Sequence, residues 1–184
     1  MIPVGYMCKS VVERPEWLDA PSVEDVYSVS RCVSTDFAEW IHAWKHNGFW
    51  FFNEPQTIVE IAKGKCVSLD RMTLFFYWMY EREWDSDDQQ WHEISPNESF
   101  QTNVQIPEKL QKHGYDVVTY SSGNSAECSP LSCNHYASEF DTNNHCLLNT
   151  FDEAVRLVEN GSFLKGEPGP HRILEVCTVD ILDT

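Results

Sequence analysis

The chain has 184 residues, enough for one domain or for two small lobes sharing a core. With 42% hydrophobic and 13% aromatic residues it has a globular composition, which excludes a disordered chain. A net charge of −16 at pH 7 repels phosphate backbones, so it argues against nucleic-acid binding and for a basic protein partner.

No apolar run reaches the ~20 residues of a membrane span, and the richest, Leu74-Phe-Phe-Tyr-Trp-Met-Tyr80, is strand-length. The first eight residues lack the basic region and apolar core of a secretion signal. Seven cysteines, an odd number, then read as free thiols in a reducing cytoplasm.

In chain order, Asp25–Ser30 alternates like a strand, and Asp36–Asn47 reads as a helix with Phe37, Trp40, Ile41 and Trp44 on one face. Phe49–Phe52 reads as a short strand. Asn53 would cap a helix carrying Ile58, Val59, Ile61 and Ala62 that stops near Gly64, and Thr73–Glu83 is a long strand. The acidic stretch Glu81–Glu98 reads as a hairpin with a solvated tip. In the second half, Asp116–Ser121 is a strand and Ser132 caps a helix over Cys133–Phe140. His145–Leu148 is a short strand, Thr150-Phe-Asp-Glu153 is a capping box, and His171–Val179 is the closing strand.

The order strand, helix, strand, helix, strand therefore occurs twice. A shift of 96 residues lays Phe51-Phe-Asn53 on Leu147-Leu-Asn149, and a shift of 91 lays Asp25 on Asp116. The expectation is one α+β (mixed α/β) domain over 1–184, built from two βαβαβ copies with a mixed β-sheet. Copy one covers about 23–84, copy two about 114–181, and an insertion about 85–112. The extra residues of copy two fall in 122–131, beyond a strand end, where α/β units hold ligands.

That loop opens the densest chemistry in the chain, from Ser121 through Cys128, Cys133 and His135 to His145 and Cys146. Three readings compete. As a nucleophile, Cys133 would sit in a first helical turn, its thiol made acidic by unpaired N–H groups, with His171 or His145 as base. As a metal site, Cys128, Cys133, His135, His145 and Cys146 offer ligands suited to zinc, although the usual Cys-x2-Cys knuckle is missing. As an anion cradle, Ser121, Ser122, Gly123 and Ser132 offer main-chain N–H groups, with Arg172 the nearby cation. Cys8, Cys32, Cys66 and Cys177 are scattered and read as packing. Against all three stands the bland account, in which these cysteines are small buried hydrophobes.

The runs Gly114-Tyr-Asp-Val-Val, Glu127-Cys-Ser-Pro-Leu-Ser-Cys-Asn134 and His145-Cys-Leu-Leu resemble an uncharacterised family of bacterial proteins. The resemblance implies a bacterial cytosolic setting and no activity. The leading expectation is a non-catalytic acidic binding protein of the inhibitor or immunity kind. It would present acid and tryptophan to a basic protein. A thiol-dependent enzyme and a zinc-site protein are the alternatives.

Overall fold

The computed structural model describes residues 1–37, 43–120 and 126–180. Its spine is strand β4 (Thr73–Asp85), whose Leu74, Phe75, Phe76, Tyr77 and Met79 are all buried. Aromatic side chains suit a strand covered on both faces, and β4 pairs with three neighbours. With β1 (Ile2–Lys9), β6 (Gln111–Thr119) and β7 (His171–Thr178) it forms the order β1-β4-β7-β6, and β5 (Gln90–Glu93) extends β4. Every ladder among the described residues is antiparallel. The protein is thus α+β, as expected, but its sheet is not mixed. A separate ribbon pairs β2 (Val12–Glu13) with β3 (Asp25–Val26).

Among the described residues, two helices of more than two turns pack on this sheet. Helix α1 (Pro55–Lys65) buries Ile58, Ile61 and Ala62 and lies on β1. It runs past Gly64, because Cys66 takes the left-handed capping conformation, φ 56°. Helix α3 (Phe151–Glu159) buries Ala154, Leu157 and Val158 against β6 and β7, and the expected Thr150 cap is present. Between β6 and α3 lie a four-residue helix α2 (Pro130–Cys133) and a 3-10 turn over Tyr136–Ser138.

The strand assignments of the sequence need correcting in three places. The expected first strand, Asp25–Ser30, is a strand only at Asp25–Val26. Phe49–Phe52 and His145–Leu148 are loops, each touching the sheet through one isolated bridge, Tyr6 to Phe52 and Tyr115 to Leu148. The real first strand, β1, precedes the expected copy one. Each half therefore runs strand, long loop, helix, strand, in place of βαβαβ. Of the helix read over 36–47, residues 38–42, with Trp40 and Ile41, lie outside the described residues, and Trp44 is 66% exposed.

The halves share one local construction. Gly5 on β1 and Gly114 on β6 both have positive φ, 124° and 153°, each beside a bulge in its ladder. A side chain at either would strike a carbonyl, that of Phe52 or Leu148. The two loops are then tied by an asparagine. The Asn47 amide donates to the Val4 carbonyl (2.9 Å) and accepts from the N–H groups of Phe49 and Phe51 (2.9 and 3.2 Å). The Asn143 amide donates to the His113 carbonyl (2.7 Å) and accepts from His145 and Leu147 (2.9 and 3.2 Å). In this frame Asp116 stands where Met7 stands in the first half, two residues after the glycine.

Candidate functional site

Three thiols converge where loop 27–37 meets the end of β6. The sulfurs of Cys32, Cys128 and Cys133 all lie within 4.8 Å of one another. Cys32 is exposed, Cys133 partly buried and Cys128 buried. Each arrives by a different local device.

Cys128 is brought back onto the sheet, since the chain leaving β6 returns and Thr119 pairs with Glu127 and Cys128 (3.0 and 2.9 Å). Cys133 closes α2, its N–H bonded to the Ser129 carbonyl at 2.7 Å. Pro55 and Pro130 begin α1 and α2 alike, because a proline at the first turn forfeits no intrahelical bond. Cys32 follows a serine turn in which Ser30 N–H donates to the Ser28 hydroxyl (3.2 Å). Its thiol donates to the Glu127 carbonyl at 3.2 Å.

Beneath the thiols Asp116 ties the two loops together. Its carboxylate accepts from Val29 N–H (2.8 Å) and Ser28 hydroxyl (3.3 Å) on one loop, and from Ser129 hydroxyl (2.6 Å) on the other. Burial pushes Asp116 up to about 6, against the pull of these donors. Lys9, buried beside it, donates its ammonium to the carbonyls of Val29 and Ser30 (2.8 and 2.5 Å). Burial brings Lys9 down to about 8, while Asp36 and Asp116 act the other way.

The thiols share their protons unequally. Cys133 is held well below the ordinary thiol range, first by the Cys128 thiol donating to it. The Ser30 hydroxyl, 3.4 Å from its sulfur, the Cys32 thiol and the Ser129 backbone add to this, while burial opposes it. Cys128, the donor, rises correspondingly, and Cys32 is pushed up to about 11 chiefly by burial. The acidity of Cys133 comes from neighbouring thiols and a hydroxyl, and the helix start assumed from sequence is not its source. α2 begins at Pro130 with Ser129 before it, so Cys133 ends the helix. Ser132 caps nothing and sits buried, its hydroxyl 3.9 Å from the Cys133 sulfur.

The other expected site residues go elsewhere. His145 pairs with Asp25 at 2.6 Å and stacks on Tyr27 at 4.1 Å. His171 is buried with neither ring nitrogen hydrogen-bonded, and burial lowers it to about 4. Neither is a hydrogen-bond partner of Cys133, so the geometry provides no base for it from either. His135 is exposed, its ring 4.8 Å from that of Trp17, and Cys146 is core at 2% exposure. Arg172 is engaged by Glu83 (2.7 Å) and lies 4.0 Å over the Tyr120 ring. Of the anion loop, Ser121, Ser122 and Gly123 lie outside the described residues. From the expected metal set, then, only Cys128 and Cys133 meet. The third member, Cys32, was read from the sequence as packing.

The thiols face a cleft of about 450 Å³ whose remaining walls are Trp17, Val33, Glu127, Asn134 and Glu167. Such a set can do two things chemically: bind a soft cation, or react as a thiolate. A second possible ligand group, Asp85, Asp88 and His92, sits exposed on the β4–β5 hairpin, with His92 and Asp88 paired at 2.8 Å. Exposed acidic groups of this kind are ordinary surface. Of the first-half aromatics, Phe49, Phe51, Phe52 and Trp84 are buried, while Trp17 and Trp44 are exposed. Among the described residues no helix is long and apolar enough to cross a membrane.

No family model matches the chain, and no match to it was found among the curated proteins or the solved structures.

Proposed function

We propose that the protein is a soft-metal binding protein whose centre is formed by Cys32, Cys128 and Cys133, with zinc the favoured ion. The observation that carries this is the mutual approach of three sulfurs within 4.8 Å, drawn from two separate loops. Three thiolates on a zinc at about 2.3 Å stand about 3.8 Å apart, so only a small contraction closes the set. Asp116 and Lys9 support it from behind, by fixing both loops and by placing a cation near a site of net negative charge. Three protein ligands beside an open cleft leave a fourth position for water or a ligand, the pattern of a reactive centre and not of a closed structural one.

Zinc titration of the reduced full chain against a chromophoric chelator tests this. One zinc per chain is expected, and cobalt in its place should give the intense sulfur-to-metal absorption of a thiolate-rich tetrahedral site. Cys32→Ser should weaken binding by at least about a hundredfold. Cys66→Ser, at the exposed end of α1, should leave it unchanged. Zinc binding indifferent to Cys32→Ser would sink the proposal.

A second reading, a nucleophilic Cys133, is favoured by its stabilised thiolate. It predicts fast alkylation of Cys133 well below pH 8.5 that zinc does not suppress, whereas a metal centre predicts protection.

A further inference from the structure

We propose that the same three thiols form a hydroperoxide-sensitive switch, in which Cys133 is oxidised and Cys32 closes a disulfide on it, displacing the metal. The metal-release half rests on the reading above; the disulfide half stands on the thiols alone.

The geometry supplies the two parts such a switch needs, an accessible sulfur and a second sulfur beside it. Cys133 lines the cleft and so meets small solutes, while Cys32 is exposed on a different loop with its sulfur in the same cluster. Cys128 is the weaker closing partner: it is buried, its sulfur 3.4 Å from Asn134 Oδ1. It also shares with Cys133 the short segment held by the Ser129-to-Cys133 main-chain bond, so the two have little freedom to rotate together. Cys32 is held by a bond of its thiol to the Glu127 carbonyl, 3.2 Å, and by a long contact of its N–H with Ser30 Oγ, 3.4 Å. The other described cysteines lack one part or both. Cys8, Cys146 and Cys177 are buried at 2% exposure or less, and Cys66 is exposed but outside the cluster.

The chemistry balances without a further reactant. The Cys133 sulfur attacks one oxygen of the hydroperoxide; an S–O bond forms and the O–O bond breaks. The departing oxygen takes up a proton from water and leaves as alcohol or water. The Cys32 sulfur then attacks the Cys133 sulfur; the S–S bond forms, the S–O bond breaks, and hydroxide leaves with the Cys32 proton as water. Two sulfurs together give up two electrons, and the hydroperoxide accepts them. The disulfide removes two of three ligands, and Cys128 alone does not hold the ion.

Hydrogen peroxide added in equimolar steps to the full chain, zinc-loaded and metal-free, tests both halves, with peptide mapping for disulfides and a chromophoric chelator for released zinc. A Cys32–Cys133 disulfide is expected in both forms, with one zinc released per disulfide from the loaded form. In the metal-free chain Cys133 and Cys32 should be lost together as one disulfide, with Cys66 left outside it. Cys32→Ser, a change at an exposed position, should stop at a Cys133 sulfenic acid that dimedone traps. The proposal is overturned if zinc binds but peroxide forms no Cys32–Cys133 disulfide, or if the disulfide joins Cys128 to Cys133. A Cys32–Cys133 disulfide in a chain that never binds zinc would overturn the metal reading and uphold the thiol half.

Discussion

The two halves of the molecule build the same bulged strand and the same asparagine-tied loop, and fill one equivalent position differently. Met7 on β1 is buried in an apolar cluster with Phe75, Phe76 and Phe52. Asp116 on β6 is equally buried, but it holds three hydrogen bonds that draw loop 27–37 and the start of α2 together. At this position one half therefore packs and the other bonds, and the thiols gather over the bonded carboxylate. A buried carboxylate is costly unless fully bonded. At this pair of equivalent positions only the second half carries a carboxylate, and it lies beneath the three thiols.

The shared construction is the first thing to break. Asn47→Ala leaves two backbone N–H groups and the Val4 carbonyl without partners at a site that is fully buried. At 1–3 kcal/mol for each unsatisfied group, partly relieved by relaxation, it should cost about 4 kcal/mol. Asn143→Ala removes the same set, but around a part-buried loop that water reaches more easily, and should cost about 3 kcal/mol. Urea unfolding of the two variants decides it. Losses below about 1 kcal/mol in both would mean that the loops are held by their apolar contacts and not by the amides.

The difference between Met7 and Asp116 should appear next, as pH dependence. Asp116 is raised from 3.8 to about 6, so the folded chain holds its proton more tightly than the unfolded chain does. Its contribution is fully present below pH about 4 and is lost as pH rises through about 6, a fall of about 3 kcal/mol at 1.36 kcal/mol per unit. Asp116→Asn should flatten that limb. Lys9, lowered to about 8, adds a limb of opposite sense, with stability recovering between about 8 and 10.5 as the unfolded chain sheds the proton. Urea midpoints across pH 3.5–7 for wild type and Asp116→Asn check the acidic limb; parallel curves for the two proteins would show that Asp116 is not its source.

What could be read from the sequence follows from which signals are local. β4, α1, α3 and β7 announce themselves by aromatic runs, helical periodicity and the Thr150 capping box, each contained within a few residues. β1 does not, because Pro3 and Gly5 both speak against a strand; in the structure Pro3 lies on an edge strand and Gly5 makes a bulge. Phe49–Phe52 and His145–Leu148 have the apolar look of strands, yet an asparagine amide satisfies their backbone where a ladder would have done so. The site was half legible. Cys128 and Cys133 stand close in sequence, but Cys32 lies in the other half of the chain, and no spacing rule joins it to them. The one trace was Ser28-Val-Ser30-Arg-Cys32, a polar alternation leading into a cysteine, which gains meaning only once Asp116 is seen to bind the serine turn.

The smallest effect distinguishes how the halves start their helices. Thr150 accepts the Glu153 N–H at 3.2 Å, and Asp152 and Glu153 add negative charge to the first turn of α3. Glu54 at the equivalent position makes no capping bond, and the first turn of α1 holds no acid, only Pro55. Thr150→Ala should therefore cost about 1 kcal/mol, and Glu54→Ser, which supplies the missing acceptor, should gain a similar amount. Thermal or urea unfolding of the two variants measures both. A gain at 54 equal to the loss at 150 would show that α1 begins on packing alone. No gain would show that Pro55, with its backbone angle preset, already does for α1 what the threonine hydroxyl does for α3.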